Sequence, residues 1–264
     1  MVDGKSGEVD QVKKLEEYDA IVLSNGSEID HMQRFVNSLR SAPLPDSEIL
    51  VNLGLFLTSK TLARILFFCE IYKKILPLHG IVVEFGVRWG QTLSLLSALR
   101  GIFEPFNRHR KIVGFDTFEG FKGMDPKDGE TCRCRDGSFS VPSGYETYLD
   151  QILHLQEQLN PMAHLKRYEL VKGDALLTVP DYLKRHPETI ISLGVFDFDI
   201  YKPTKAALEA IQPYVCKGSI LVFDELCDDI FPGETLALRE TLGLNRIRIE
   251  RMSTTARLSY VQIE

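Results

Sequence analysis

Two acidic strand ends, separated by a glycine turn and a helical stretch, constrain this chain more than any other feature. The run Ile81-Val82-Val83-Glu84-Phe85-Gly86-Val87-Arg88-Trp89-Gly90 reads as an apolar strand, an acid and a glycine turn, and Ile112-Val113-Gly114-Phe115-Asp116 repeats the strand-then-acid pattern. Short apolar runs bounded by glycine suit strands buried on both faces. A strand, glycine turn, helix and second strand in that order form the unit from which open α/β sheets build a nucleoside site.

The spacing selects among nucleosides. A dinucleotide fingerprint needs Gly-x-Gly-x-x-Gly, so that the backbone can approach a pyrophosphate at a helix N-terminus. Here the pattern is Gly86-x-x-x-Gly90 with Glu84 just before it, and a carboxylate at that point repels a pyrophosphate. The missing glycine also argues against an NAD-dependent enzyme. A cationic ligand without phosphates fits better, and S-adenosylmethionine is one: its ammonium and sulfonium can use Glu84, while its ribose diol can hydrogen-bond to Asp116.

A chain of 264 residues, 44% hydrophobic and 26% charged, has ordinary globular composition and the length of one large domain or one domain with an appendage. The net charge of −6 and the lack of a Lys/Arg stripe argue against nucleic acid as main partner. The basic run Arg108-His109-Arg110-Lys111 reads as a solvated loop. With neither a signal-peptide core nor an apolar run long enough for a membrane span, a cytoplasmic protein without membrane contact is expected. Five cysteines without framework spacing suit a reducing compartment. Cys132 and Cys134 read as two loop thiols rather than a metal site, because no second Cys or His pair lies nearby.

Residues 1 to about 20 are polar and are expected to fray. Helical spacing covers about 28–42 and 59–76, the second marked by Leu62, Ile65, Leu66, Cys69, Tyr72 and Ile75 and closed by Pro77 and Gly80. Residues 1–79 therefore read as a helical extension, serving equally well as a cap over the sheet, a dimer contact or a substrate lid. Residues 80–264 read as the catalytic domain. Strands are expected near 81–86, 111–116, 168–172, 191–197 and 218–224 with helices between them, which makes a mostly parallel sheet covered on both faces. Residues 246–251 and 257–263 alternate with period two around Ser253-Thr254-Thr255 and read as an antiparallel pair. Segment 117–143, rich in glycine and carrying Pro126 and Pro142, is long for a compact domain and reads as a substrate lid, followed by a helix from Tyr145 to about Leu159.

A second constellation carries chemistry. Val195-Phe196-Asp197-Phe198-Asp199 runs into Ile200-Tyr201-Lys202-Pro203, and Ile220-Leu221-Val222-Phe223 runs into Asp224-Glu225. Four carboxylates at the C-terminal edge of one sheet raise one another's proton affinity unless a cation is present. All-oxygen ligation points to Mg²⁺ before zinc. The plainer reading is an Asp capping the helix near Pro203, with the other acids solvated. A metal would also activate an alcohol, a poor nucleophile toward a sulfonium methyl. The six histidines, at 31, 79, 109, 154, 164 and 186, lie outside both constellations in sequence. Asp199, or Lys202 if its surroundings neutralise it, is the nearer base.

These residues resemble a known family. Glu84-Phe-Gly-x-x-x-Gly90, Phe115-Asp116-Thr117-Phe118-Glu119-Gly120-Phe121, Asp197-Phe-Asp199-Ile-Tyr201-x-x-Thr204 and Asp224-Glu225 with Pro232-Gly233-Glu234 look like the macrocin and mycinamicin type of class I, metal-dependent sugar O-methyltransferases, over roughly residues 80–245. The resemblance implies a Rossmann-like fold, S-adenosylmethionine and Mg²⁺ as cofactors, and a homo-oligomer. It implies that Glu84, Gly86 and Gly90 shape the methionine end of the cofactor site, with Asp116 on the ribose, Thr117 and Phe118 beside it, and Asp174 toward the adenine. It implies Asp197, Asp224 and Glu225 as metal ligands and Asp199 as base or supporting acid. Glu225 stands where the family usually has aspartate. The acceptor implied is a sugar hydroxyl, on a nucleotide-linked deoxysugar such as a rhamnose or on a finished glycoside. A catechol or caffeoyl type enzyme and a noncatalytic nucleoside-binding module are the alternatives.

Overall fold

The structure, a computed structural model, describes residues 26–130 and 134–264. The expectations for residues 1–20 and for Cys132 lie outside the described residues. The chain divides into two compact units, one ending at Arg64 and one spanning Ile65–Glu264.

The first unit holds α1 (Gly26–Arg40), the single turn α2 (Asp46–Ile49), a 3-10 turn at Leu53–Phe56 and the start of α3 (Ser59–Ile75). Thr58 caps α3, its Oγ1 accepting the Thr61 N–H at 3.1 Å.

The second unit contains the sheet. In chain order it runs β1 (Ile81–Phe85), α4 (Gln91–Phe103), β2 (Ile112–Asp116), α5 (Tyr145–Leu159), β3 (Tyr168–Lys172), α6 (Ala175–Arg185), β4 (Ile191–Phe196), α7 (Tyr201–Ile211), β5 (Val215–Phe223), α8 (Gly233–Thr241), β6 (Ile249–Arg251) and β7 (Ser259–Gln262). Strand order is β3-β2-β1-β4-β5-β7-β6. β1 to β5 are parallel, and β7 runs antiparallel to both β5 and β6. The fold is thus the expected Rossmann-like class I arrangement, a mostly parallel sheet closed by an antiparallel pair. Successive side chains point to opposite faces: Val82 joins a core with Leu93, Leu193 and Val222, whereas Val83 and Phe85 join another with Val113, Val179 and Leu221.

The sheet order reverses at β1, whose neighbours are β2 and β4, so a crevice opens beyond the C-terminal ends of β1 and β4. Among the described residues, no helix is long and apolar enough to cross a membrane.

Two expectations are corrected. The buried face of α3 is Phe67, Phe68, Ile71, Tyr72 and Ile75, while Leu66 is half-exposed. Tyr72 and Ile75 of the expected stripe lie on that face, joined by Phe67 and Phe68 in place of Leu62 and Leu66. Arg110 is also not solvated but 1% exposed. Its guanidinium donates to the carbonyls of Gly80, Ile75 and Leu78, to Ser192 Oγ and to Glu104. All of these acceptors but Glu104 come from segments remote in sequence, so a basic run that reads as surface supplies a buried clamp under the N-terminal edge of the sheet. Alongside it, Glu157 bridges the buried pair Arg100 and Arg167.

Candidate active site

Register brings the acids together. Phe85, Phe196 and Phe223 are aligned on β1, β4 and β5, and their rings stack in series, with centroids 4.8 Å and 5.1 Å apart. One residue further, Asp197 N–H donates to Phe85 O at 2.8 Å and Asp224 N–H donates to Phe196 O at 3.2 Å. The ladder therefore continues past the strand ends and sets Gly86, Asp197 and Asp224 level on the face opposite the aromatic floor. Gly86 is required there: its φ is +94°, and a Cβ would lie 1.9 Å from Asp197 O.

Asp199 follows with φ +63°, a strained position for a non-glycine residue, and its side chain is buried. Burial, followed by the charges of Asp197 and Asp224, holds its carboxyl well above the usual range, against Arg257 and Arg88, which pull it down. Glu234, at the start of α8, joins the same cluster. It accepts the Glu225 N–H at 3.0 Å and is fully buried; burial and the charges of Asp199, Asp224 and Asp197 raise it strongly. Arg257 answers this charge, its Nε 3.2 Å from Asp224 Oδ2 and its Nη2 against Glu225 Oε1.

None of these acids caps α7. The first N–H of that helix, on Tyr201, donates at 2.5 Å to Asp128, which reaches in from segment 117–143. The plainer reading of the Asp197/Asp199 pair as helix caps is therefore not what the structure contains.

The glycine turn faces the cluster. Gly90 N–H donates to Val87 O at 2.8 Å, and Gly90 leads into α4. A Cβ at Gly90, whose φ is +78°, would strike Leu149 of α5. Glu84 is buried on β1. Asp116 ties the turn to the next loop: its Oδ2 accepts Arg88 N–H at 2.7 Å and its Oδ1 accepts Phe118 N–H at 2.6 Å. Burial raises the Asp116 carboxyl despite those backbone donors. Thr117 spends its hydroxyl on Gly120 O, Phe118 turns inward at φ +57° to pack in the core, and Asp174 caps α6 by accepting Leu176 N–H at 2.9 Å.

Lys202 goes elsewhere. Its ammonium donates to Gly123 O at 3.2 Å and lies 3.6 Å from Asp125, half-exposed. Lys202 thereby ties the stretch from Gly123 to Asp125, within segment 117–143, to α7. That segment is further docked through Lys127 to Tyr201 and Glu240, and through Phe121 and Phe139, whose rings pack on Phe231. The Arg88 guanidinium sits 4.7 Å from the Phe139 ring centroid. His79, His109, His164 and His186 precede strands and so lie at the opposite edge of the sheet.

The donor set suits a hard cation. Glu225 Oε2 and Glu234 Oε2 are buried with no hydrogen-bond partner among the described residues. Yet among the described residues no three Asp, Glu, His or Cys are gathered at ligand geometry. Arg257 stands against two of the three expected ligands, so Asp197, Asp224 and Glu225 share an edge without converging on a point. Sequence reasoning missed Glu234 and Arg257 as members of the cluster. The Pro232-Gly233-Glu234 motif was a signal for the first; the second had none.

No family model matches the sequence, and a search of curated proteins finds no match. Solved structures do match. The crystal structure of CalS11, a calicheamicin methyltransferase, is 38% identical, covers 99% of this chain and 98% of that chain, and superposes with a TM-score of 0.89. The apo form of CalS11, described as a TDP-rhamnose 3'-O-methyltransferase of calicheamicin biosynthesis, is 38% identical over 94% of this chain and 98% of that chain, with a TM-score of 0.81. The O-methyltransferase NovP, 16% identical over 76% of this chain and 79% of that one, shares the fold with a TM-score of 0.57. Identity at this level over nearly the whole length, on a sheet whose switch point carries the acidic crevice, makes the chain a member of the class I O-methyltransferase family of natural-product pathways to which CalS11 belongs.

Proposed function

We propose that this enzyme transfers a methyl group from S-adenosylmethionine to a hydroxyl of a deoxysugar, the sugar being carried on a nucleotide, with a divalent cation held by Asp197, Asp224 and Glu225. The observation that carries this reading is the set of acids, Asp197, Asp199, Asp224, Glu225 and Glu234, gathered at one sheet edge beside the Gly86–Gly90 turn. The likeness to CalS11 supports the nucleotide-linked sugar.

When bound, the cofactor supplies an electrophilic methyl on sulfonium and the cation supplies a Lewis acid that orients a hydroxyl. Glu84 matches the ammonium of the cofactor, and Asp116, braced by two backbone N–H groups, presents its remaining lone pairs to the ribose diol. Asp199 would take up the proton released from the acceptor hydroxyl as that hydroxyl is methylated. Glu234 positions the Asp224-Glu225 turn through the Glu225 N–H. Segment 117–143, docked on α7 and α8, excludes water from the crevice.

Calorimetry of chelator-treated protein with S-adenosylhomocysteine and then Mg²⁺, followed by methyl-transfer assays on TDP-rhamnose and on a catechol, tests this reading. Binding of both ligands, with Mg²⁺ heat lost in Asp224→Ala and turnover of the sugar, is the expected result. Asp199→Asn should lower kcat by about 10²–10⁴-fold and leave S-adenosylhomocysteine affinity unchanged. Turnover of the catechol alone would overturn the sugar acceptor, and absence of cofactor binding would overturn the whole.

A further inference from the structure

We propose that Arg257 is a resident counter-cation of the Asp224–Glu225 pair that a divalent ion must displace, so that ion binding frees the turn between β6 and β7. The inference rests on the reading above that Asp197, Asp224 and Glu225 hold such an ion.

Register places the arginine. β5 and β7 pair antiparallel with Ile220 opposite Gln262 and Phe223 opposite Ser259. Extended two residues past the paired ends, that register brings Glu225 level with Arg257. The ion pairs observed there agree with it: Arg257 Nε lies 3.2 Å from Asp224 Oδ2, and Nη2 contacts Glu225 Oε1. A fork of guanidinium donors bridges two neighbouring carboxylates, which a lysine could reach only as a point charge.

Arg257 is half-exposed, whereas the carboxylates it meets are buried, so the guanidinium reaches the cluster from its solvent side and has water to return to. The turn that carries it is weakly tied within itself. Arg257 N–H donates to Thr255 Oγ1 at 3.3 Å and Thr255 N–H to Met252 O at 3.3 Å, both long. Its ends are firm, with Leu258 buried in the core and Met252 packed against it. The tip can therefore swing without disturbing β6 or β7.

Guanidinium and metal compete for the same two carboxylates. A hard divalent ion takes six or more oxygen ligands at short range, and Arg257 places a positive charge on Asp224 Oδ2 and Glu225 Oε1, which opposes a second cation on that pair even though Glu225 Oε2 is open. With the arginine in place, the two acids share a single positive charge and are not gathered at ligand geometry. Exchange of one cation for the other keeps a positive charge against the pair and makes the apparent ion affinity depend on Arg257.

The test is Mn²⁺ titration of the full chain, followed by the spin-resonance signal of free Mn²⁺, on wild type, Arg257→Met, Arg257→Lys and Asp224→Asn, with thermal melts of the metal-free and Mn²⁺-saturated forms. Arg257→Met should bind Mn²⁺ about tenfold more tightly, since no charge-assisted pair has to break. Its metal-free form should melt below wild type, and Mn²⁺ should remove that difference. Arg257→Lys, which keeps the charge without the fork, should fall between the two and serves if the methionine variant does not fold. Unchanged or weaker binding in Arg257→Met and Arg257→Lys, with binding abolished in Asp224→Asn, would overturn the exchange and leave the metal site standing. No Mn²⁺ binding by any of the proteins would overturn the metal site and the exchange together.

Discussion

Replacing Glu157 by glutamine should lower the melting temperature of this enzyme steeply without touching its chemistry. Glu157 is 2% exposed and lies between two buried guanidinium groups, in contact with Arg100 and with Oε2 3.4 Å from Arg167 Nε. Burial, and then the neighbouring Arg167 charge, already press Arg100 down to about 10. Both arginines keep backbone acceptors in the variant, including the 2.6 Å bond from Arg100 to Arg167 O and the 2.7 Å bond from Arg167 to Pro161 O. What they lose is the one carboxylate that touches both of them among the described residues. Removing one partner of a buried pair costs about 3–5 kcal/mol, because a charge is left uncompensated. For a unit the size of Ile65–Glu264, each kcal/mol shifts Tm by about 2–4 °C, so Glu157→Gln should melt roughly 6–20 °C below wild type. Calorimetric melts provide the assay, with kcat at 20 °C as control, since the cluster lies at the sheet edge opposite the crevice. The double change Arg100→Met with Glu157→Leu should cost less than the sum of its parts. A Tm for Glu157→Gln within about 2 °C of wild type, or strict additivity in the double variant, would refute the reasoning.

Three further outcomes are expected. Gly86→Ala puts a Cβ 1.9 Å from Asp197 O at a φ of +94° and should cost at least about 2 kcal/mol, read by denaturant unfolding, with S-adenosylhomocysteine affinity falling alongside. Asp128→Ala removes the acceptor of the first α7 N–H, so stability should drop by about 1 kcal/mol and KM for the sugar should rise as segment 117–143 loosens. Tyr72 is raised by burial and by Glu104, to which its hydroxyl donates at 2.8 Å. A folded-state value above the unfolded one means stability that is present below pH 10 and lost as pH climbs from there. Tyr72→Phe should therefore flatten part of the alkaline fall in Tm, while lowering Tm at pH 8 by the equivalent of about 1 kcal/mol for the lost hydrogen bond.

Strands β1, β2 and β4 were readable because they are buried on both faces and are apolar over most of their length, whereas the edge strand β3 carries Glu169 and Lys172. Those three runs and β5 end in Glu84, Asp116, Asp197 and Asp224, so the acidic edge was readable with them. Asp174 was read for its resemblance and stands in the structure as the cap of α6. Lys202 was a candidate base and instead grips the carbonyl of Gly123. Gly123 belongs to a turn whose shape local composition does not specify, whereas Asp174 meets the Leu176 N–H in the first turn of its own helix.

Sequence alone determined the order of elements, the switch point and the acids that stand there, because periodicity and strand ends are local properties of the chain. Tertiary structure decided which charges those acids meet. Arg110 and Arg257 sit in similarly basic, polar stretches, yet one is buried beneath the sheet by carbonyls from Ile75, Leu78 and Gly80, and the other is set against Glu225 by the β5–β7 register. A cation's surroundings depend on partners brought together by pairing and packing, and those pairings exist only once the sheet has closed.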